Sequence, residues 1–113
     1  MSEKSEILPI KFNGKNYFSW EFQFRMFVKG KELWGHLDGS VPKPPAGTEK
    51  STITQWETND AKIISWILSS VESHLVLNLR PYQESAKNMW EYLKKIYNQE
   101  SAARRFQLEL DIS

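Results

Sequence analysis

Chemistry at a protein site needs a nucleophile, a proton carrier, a set of metal ligands or a phosphate cradle. The 113-residue chain offers few of these. Its two histidines, His36 and His74, lie in separate segments, and neither has a second ligand three or four residues further on, as a helical metal site requires. Both read as surface or partly buried structural residues. Cysteine is absent, which removes the thiolate nucleophile, the redox pair, the disulfide framework and Cys-based zinc sites. Gly14, Gly30, Gly35, Gly39 and Gly47 are isolated from one another, so no phosphate-binding loop forms. No serine stands in a Gly-x-Ser-x-Gly elbow. The carboxylates Glu57, Asp60, Glu91 and Glu109 fall on expected helices beside polar or basic neighbours and read as solvated surface or capping groups. No catalytic, metal-binding or cofactor-binding residue is assigned, and no enzymatic activity is expected.

The composition is informative in its aromatics. They make up 13% of the chain, and eight of the fifteen fall within residues 12–34. Aromatics interleaved with bases can stack on single-stranded nucleic acid, but Arg25, Lys29 and Lys31 are the only bases between Tyr17 and Trp34. Fifteen Lys and Arg face fourteen Asp and Glu, for a net charge of +1. This lacks the basic excess by which proteins grip phosphates, so no direct nucleic-acid binding is expected. The aromatics read mainly as a packed core, with some left for a partner surface. A chain of this length buries roughly two thirds of its unfolded surface and needs no staple. No signal peptide and no apolar run of about 20 residues is visible. The expectation is one soluble domain in the cytoplasm, without membrane contact.

The elements that would position these side chains follow from periodicity. Residues 1–11 read as a tail, and Phe12-Asn13-Gly14-Lys15-Asn16 carries turn chemistry. Over Tyr17 to Lys29 two patterns compete. Phe18, Trp20, Phe22, Phe24 and Met26 alternate as in a strand, whereas Tyr17, Trp20, Phe24, Phe27 and Val28 share one helical face. The lack of a β-branched residue before Val28, the lack of a second alternating run nearby and the stop at Gly30 favour helix. A short helix is expected over Lys31 to Leu37, ended by Asp38-Gly39. Residues 40–51, with three prolines, read as an exposed loop. Its Pro42-Lys43-Pro44-Pro45 could dock as a polyproline segment, though an ordinary connector is the simpler reading. Thr54 and Glu57 have capping-box spacing ahead of a helix over 54–70, with Trp56, Asp60, Ile63, Ile64, Ile67 and Val71 on one face. A short helix runs from Ser73 to Leu79. Ser85 caps another, bearing Ala86, Met89, Trp90, Leu93, Ile96 and Tyr97. Ser101 caps a last one, with Ala102, Ala103, Phe106 and Leu110, which stops unfinished at Ser113 as if the chain were truncated.

Taken together, Phe12-x-Gly14-x-Asn16-Tyr17-x-x-Trp20, Met26, Leu33-Trp34, the isolated Trp56 and Trp90-x-x-Leu93-x-x-x-Tyr97 resemble the N-terminal gag region of copia-type retrotransposons. The similarity runs over about residues 8–112. It implies an all-α bundle of about five to six helices like the N-terminal lobe of retroviral capsids, and hence a helix at Tyr17–Lys29. It also implies self-association with other gag chains into virus-like particles. Tyr17, Trp20, Trp34, Trp56, Trp90, Leu93 and Tyr97 then become structural anchors, and no active site is transferred. In that family the zinc knuckle that grips RNA lies downstream, and this chain has none.

Two other functions compete with assembly: a domesticated gag-derived module that captures peptides in an apolar groove, and a nucleic-acid-binding domain. Phe18, Phe22 and Phe106 lie off or at the edge of the main apolar stripes of their helices. They are the candidate interface residues.

Overall fold

The computed structural model describes residues 10–98. The expected tail lies almost wholly outside this range, as do the expected helix after Ser101 and its Phe106. Five helices form: α1 (Tyr17–Gly30), α2 (Gly35–Asp38), α3 (Lys50–Ser69), α4 (Ser73–Leu79) and α5 (Ala86–Leu93). A 3₁₀ turn, Arg80–Tyr82, follows α4, and α5 runs on into a wider π-helical stretch, Lys94–Asn98. The expected all-α architecture is the observed one. The described residues contain no strand, only an isolated bridge between Phe12 and Val71.

α1 is helical because only that period buries its apolar side chains together. Tyr17, Trp20, Phe24 and Val28 are all buried, at spacings that place them on one face. The alternating pattern would need a second strand to satisfy its backbone, and the sequence supplies none. Two boundaries differ from expectation. After α1 the chain turns through Glu32, at a φ of 62°, and Leu33 N–H donates back to the Val28 carbonyl at 3.1 Å. This left-handed closure of the helix end consumes residues 31–33. The expected helix over Lys31–Leu37 is therefore confined to Gly35–Asp38. Gly35 is needed there because a Cβ would collide with the Val41 side chain. Gly39 ends α2 at a φ of 88°.

α3 starts at Lys50, about a turn before the expected Thr54, and its N-cap Glu49 makes no side-chain capping bond. Thr54 and Glu57 therefore lie inside the helix and form no capping box. The reason is permissive: nothing between Gly47 and Thr54 breaks a helix, so it propagates back to the glycine turn. At α5 the cap is as expected, since Asn88 N–H donates to Ser85 Oγ at 3.1 Å.

The first residues of the aromatic motif build a hook. Asn16 Nδ2 donates to the Lys11 carbonyl at 3.0 Å, Asn16 Oδ1 accepts Asn13 N–H at 2.9 Å, and Asn13 Oδ1 accepts Lys15 N–H at 2.8 Å. The hook drives Phe12 into the core, where its N–H donates to Ser70 O and its carbonyl accepts Glu72 N–H. Trp20 sits at the centre. Its ring lies 5.3 Å from Phe12, 5.1 Å from Phe24 and 5.6 Å from Trp90, and its Nε1–H donates to Ser70 Oγ at 3.0 Å. A buried indole needs such an acceptor. Thus α1 and α5 are welded through rings, and the α3–α4 junction is tied to α1 and to Phe12.

Candidate functional site

The motif residues occupy three environments. Tyr17, Trp20, Trp90 and Leu93 are buried in the core. Trp34 and Tyr97 are half-buried against it, Trp34 edge-on to Trp90 at 5.8 Å and Tyr97 edge-on to Phe12 at 4.8 Å. Trp56, expected with these anchors, packs outside the cluster. Its ring stacks on His36 at 4.8 Å, and its Nε1–H donates to Val41 O at 2.9 Å, which pulls the proline loop onto α3. Lys43 adds an exposed ion pair to Glu57 at 3.3 Å. Burial holds the Tyr17 hydroxyl far above the ordinary phenol range, reinforced by the nearby Glu21 and Glu91 carboxylates. Asp38, fully exposed, is held below the ordinary carboxylate range because its carboxylate accepts the Ser40 N–H.

The groups with the most polar chemistry were misread in the sequence. Asp60 is not solvated: it is buried on the inner face of α3. Its Oδ1 lies 3.0 Å from Nδ1 of His36, and its Oδ2 accepts Ala86 N–H at 3.0 Å. An ionised carboxylate only accepts, and against one the imidazole donates from Nδ1. His36, expected as a surface or partly buried structural residue, is structural and buried. One carboxylate thus pins α2 and the first turn of α5 to α3. Among the described residues no hydroxyl bonds to either partner and no cluster of three metal-ligating side chains occurs. The arrangement ties three helices together. The available signal was Asp60 standing in the apolar register of α3.

The surface carries the other feature. Phe22 is 55% exposed and Met26 41% exposed. Four residues apart, they form a stripe on α1 facing away from the buried Tyr17–Trp20–Phe24–Val28 line. Phe18, expected beside Phe22, is instead partly buried and packed on the core. Met26 takes its place in the stripe, a role the sequence reading did not give it. Arg25 lies over the Phe22 ring at 5.7 Å and pairs with Glu21 at 3.1 Å. The remaining lysines of this region cover rings in the same way, Lys29 over Trp34 and Lys31 over Phe27, each at 5.5 Å. On a different face, Ile64 and Leu68 of α3, Val76, Leu77 and Leu79 of α4, and Met89 of α5 line an apolar groove of about 420 Å³, with Arg80 and Gln83 completing it. Leu77 is 71% exposed. No described helix is long and apolar enough to cross a membrane.

The described residues thus form a helical domain with an aromatic core, a buried polar pin and open apolar surfaces. Comparison with known proteins identifies its family. Residues 24–111 match the family described as the gag-polypeptide of LTR copia-type, and the chain belongs to that family. It is 35% identical over 97 residues to the retrovirus-related Pol polyprotein from transposon RE2 of Arabidopsis thaliana, a match covering 77% of this chain and 6% of that protein. It is 31% identical over 112 residues to the corresponding polyprotein from transposon RE1 of the same plant, covering 90% of this chain and 7% of that protein. The chain therefore spans a small part of these relatives, and the region matched is their gag part. No solved structure matches it significantly.

Proposed function

We propose that this domain is a non-enzymatic building block that associates with further copies of itself in the assembly of a retrotransposon particle. The observation that carries the reading is the Phe22–Met26 stripe, which leaves two large apolar side chains in water on the helix face opposite the core. Exposed apolar side chains grouped on one face favour contact with a partner. A net charge of +1 sets little long-range repulsion against contact between copies. Membership of the gag family supports the same reading. Light scattering across a concentration series tests it. The mass of the parent should rise with concentration, and Phe22→Ser with Met26→Ser should lower that rise while leaving the helical spectrum intact. An unchanged rise in the double variant would place the contact elsewhere.

A further inference from the structure

We propose that Asn13 is a modification site: the Gly14 backbone nitrogen displaces its side-chain amide, and the isoaspartate that results unhooks Phe12 from the core. Such a reaction needs an unengaged nitrogen beside the amide, a polarised carbonyl and an unheld leaving group. Asn13 is the one asparagine of the chain followed by glycine, and a residue without a side chain leaves the attacking nitrogen uncrowded. The Gly14 N–H makes no hydrogen bond among the described residues. Lys15 N–H donates to Asn13 Oδ1 at 2.8 Å. That oxygen gains negative charge as the nitrogen adds to Cγ, and a donor already fixed on it stabilises the charge. Asn13 Nδ2 has no partner among the described residues, and the residue is exposed, so water reaches it.

The steps balance with water as the only co-reactant. Base takes the Gly14 proton, the N–Cγ bond forms, and the Cγ–Nδ2 bond breaks to release ammonia, which carries a proton away. Water then opens the cyclic imide at one of its two carbonyls. Attack at Cγ gives aspartate with the original main chain. Attack at the Asn13 main-chain carbonyl leaves Gly14 joined through Cγ, which is isoaspartate. Asparagines elsewhere lack these conditions. Asn59, Asn78 and Asn88 lie within α3, α4 and α5, where the next N–H is committed to the carbonyl four residues back. Asn16 is held on both side-chain atoms, by the Lys11 carbonyl and by Asn13 N–H.

The two products differ in their effect on the fold. The hook makes no use of Asn13 Nδ2, and an aspartate carboxylate still accepts Lys15 N–H, so aspartate leaves the hook closed. Isoaspartate routes the main chain through Cβ and Cγ. This lengthens the turn by one atom and removes the side-chain oxygen that faces Lys15. The turn joins Phe12, fully buried and bonded to Ser70 and Glu72, to the start of α1 at Tyr17. A longer turn no longer holds both ends in register, and Phe12 is drawn from its place against Trp20 and Tyr97.

Timed incubation of the purified chain at mildly alkaline pH, followed by ion exchange and peptide mapping, tests the site. Isoaspartate should accumulate at position 13 at least ~tenfold faster than any change at Asn59, Asn78 or Asn88, a barrier difference of about 1.4 kcal/mol. Modification spread evenly over the asparagines would refute the site. The folded turn keeps Lys15 N–H on Oδ1, so the rate should be no lower than in guanidinium chloride; a slower folded chain would overturn the assignment. Asn13→Gln, whose amide must close a larger ring, should stop the acidic forms from appearing. The isolated isoaspartate form should melt below the parent, while Asn13→Asp melts with it. An isoaspartate form that melts with the parent would refute the unhooking of Phe12.

Discussion

Replacing Asp60 tests the internal logic of the fold. In Asp60→Ala, α3 loses both acceptors at once: the partner of His36 Nδ1 and the partner of Ala86 N–H, each held at 3.0 Å. Asp60 is 5% exposed and His36 is also 5% exposed, so water does not readily replace what is lost. A buried group left without its partner costs about 1–3 kcal/mol, and two are stranded here. The favourable placement of a carboxylate at the start of α5, about 0.3–1 kcal/mol, also disappears. Asp60→Ala should therefore lose roughly 3–5 kcal/mol, the range for breaking a buried charged contact. Asp60→Asn separates hydrogen bonding from charge. Its amide oxygen can still accept Ala86 N–H while its amino group donates to His36 Nδ1, once the imidazole proton moves to Nε2. That variant should lose only about 1–2 kcal/mol. Urea titrations followed by circular dichroism give the midpoints, and equal slopes would show that the denatured states are comparable. A loss below about 1 kcal/mol for Asp60→Ala, or equal losses for the two variants, would refute the pin.

Three further outcomes are expected. Trp90 packs on Trp20 at 5.6 Å and on Phe24 at 5.5 Å, so Trp90→Ala should lower unfolding stability by about 3–5 kcal/mol; under about 1 kcal/mol would contradict the central ring cluster. Glu32 sits at a φ of 62°, which suits glycine, and Glu32→Gly should stabilise the domain by about 0.5–1 kcal/mol, with any loss in a thermal melt speaking against a strained closure of α1. The Tyr17 phenol is raised from its ordinary value of 10.0 by burial. The folded state therefore holds that proton more tightly than the unfolded one, so its contribution is fully present below about pH 10 and is lost as pH rises beyond it. Tyr17→Phe should flatten the alkaline fall in stability, and an unchanged profile would remove Tyr17 as its cause.

The residues differ in how far the sequence reveals them. Long apolar periods at Tyr17–Trp20–Phe24–Val28 and at Ala86–Met89–Trp90–Leu93 are local signals, and both helices form on those faces. The choice between helix and strand for α1 was settled by family likeness and then by packing, because the alternation in that segment is itself a valid local pattern. What was illegible depends on contacts distant in sequence. Asp60 meets His36 across 24 residues and Ala86 across 26, and no local rule distinguishes such a carboxylate from a solvated one. Trp56 had the right register for the core, yet its indole found Val41 O and the His36 ring first. Phe18 and Phe22 carry the same side chain four residues apart. Which of them meets water is set by where α1 lies in the bundle, and the structure leaves Phe22 exposed with Met26.

Association through the α1 stripe is tested most directly by recording amide and methyl NMR spectra of the labelled domain through serial dilution. Concentration-dependent shifts are expected at Phe22 and the Met26 methyl, with the buried Trp20, Phe24 and Trp90 unmoved. Shifts confined to other surfaces, or none from micromolar to millimolar concentration, would contradict it.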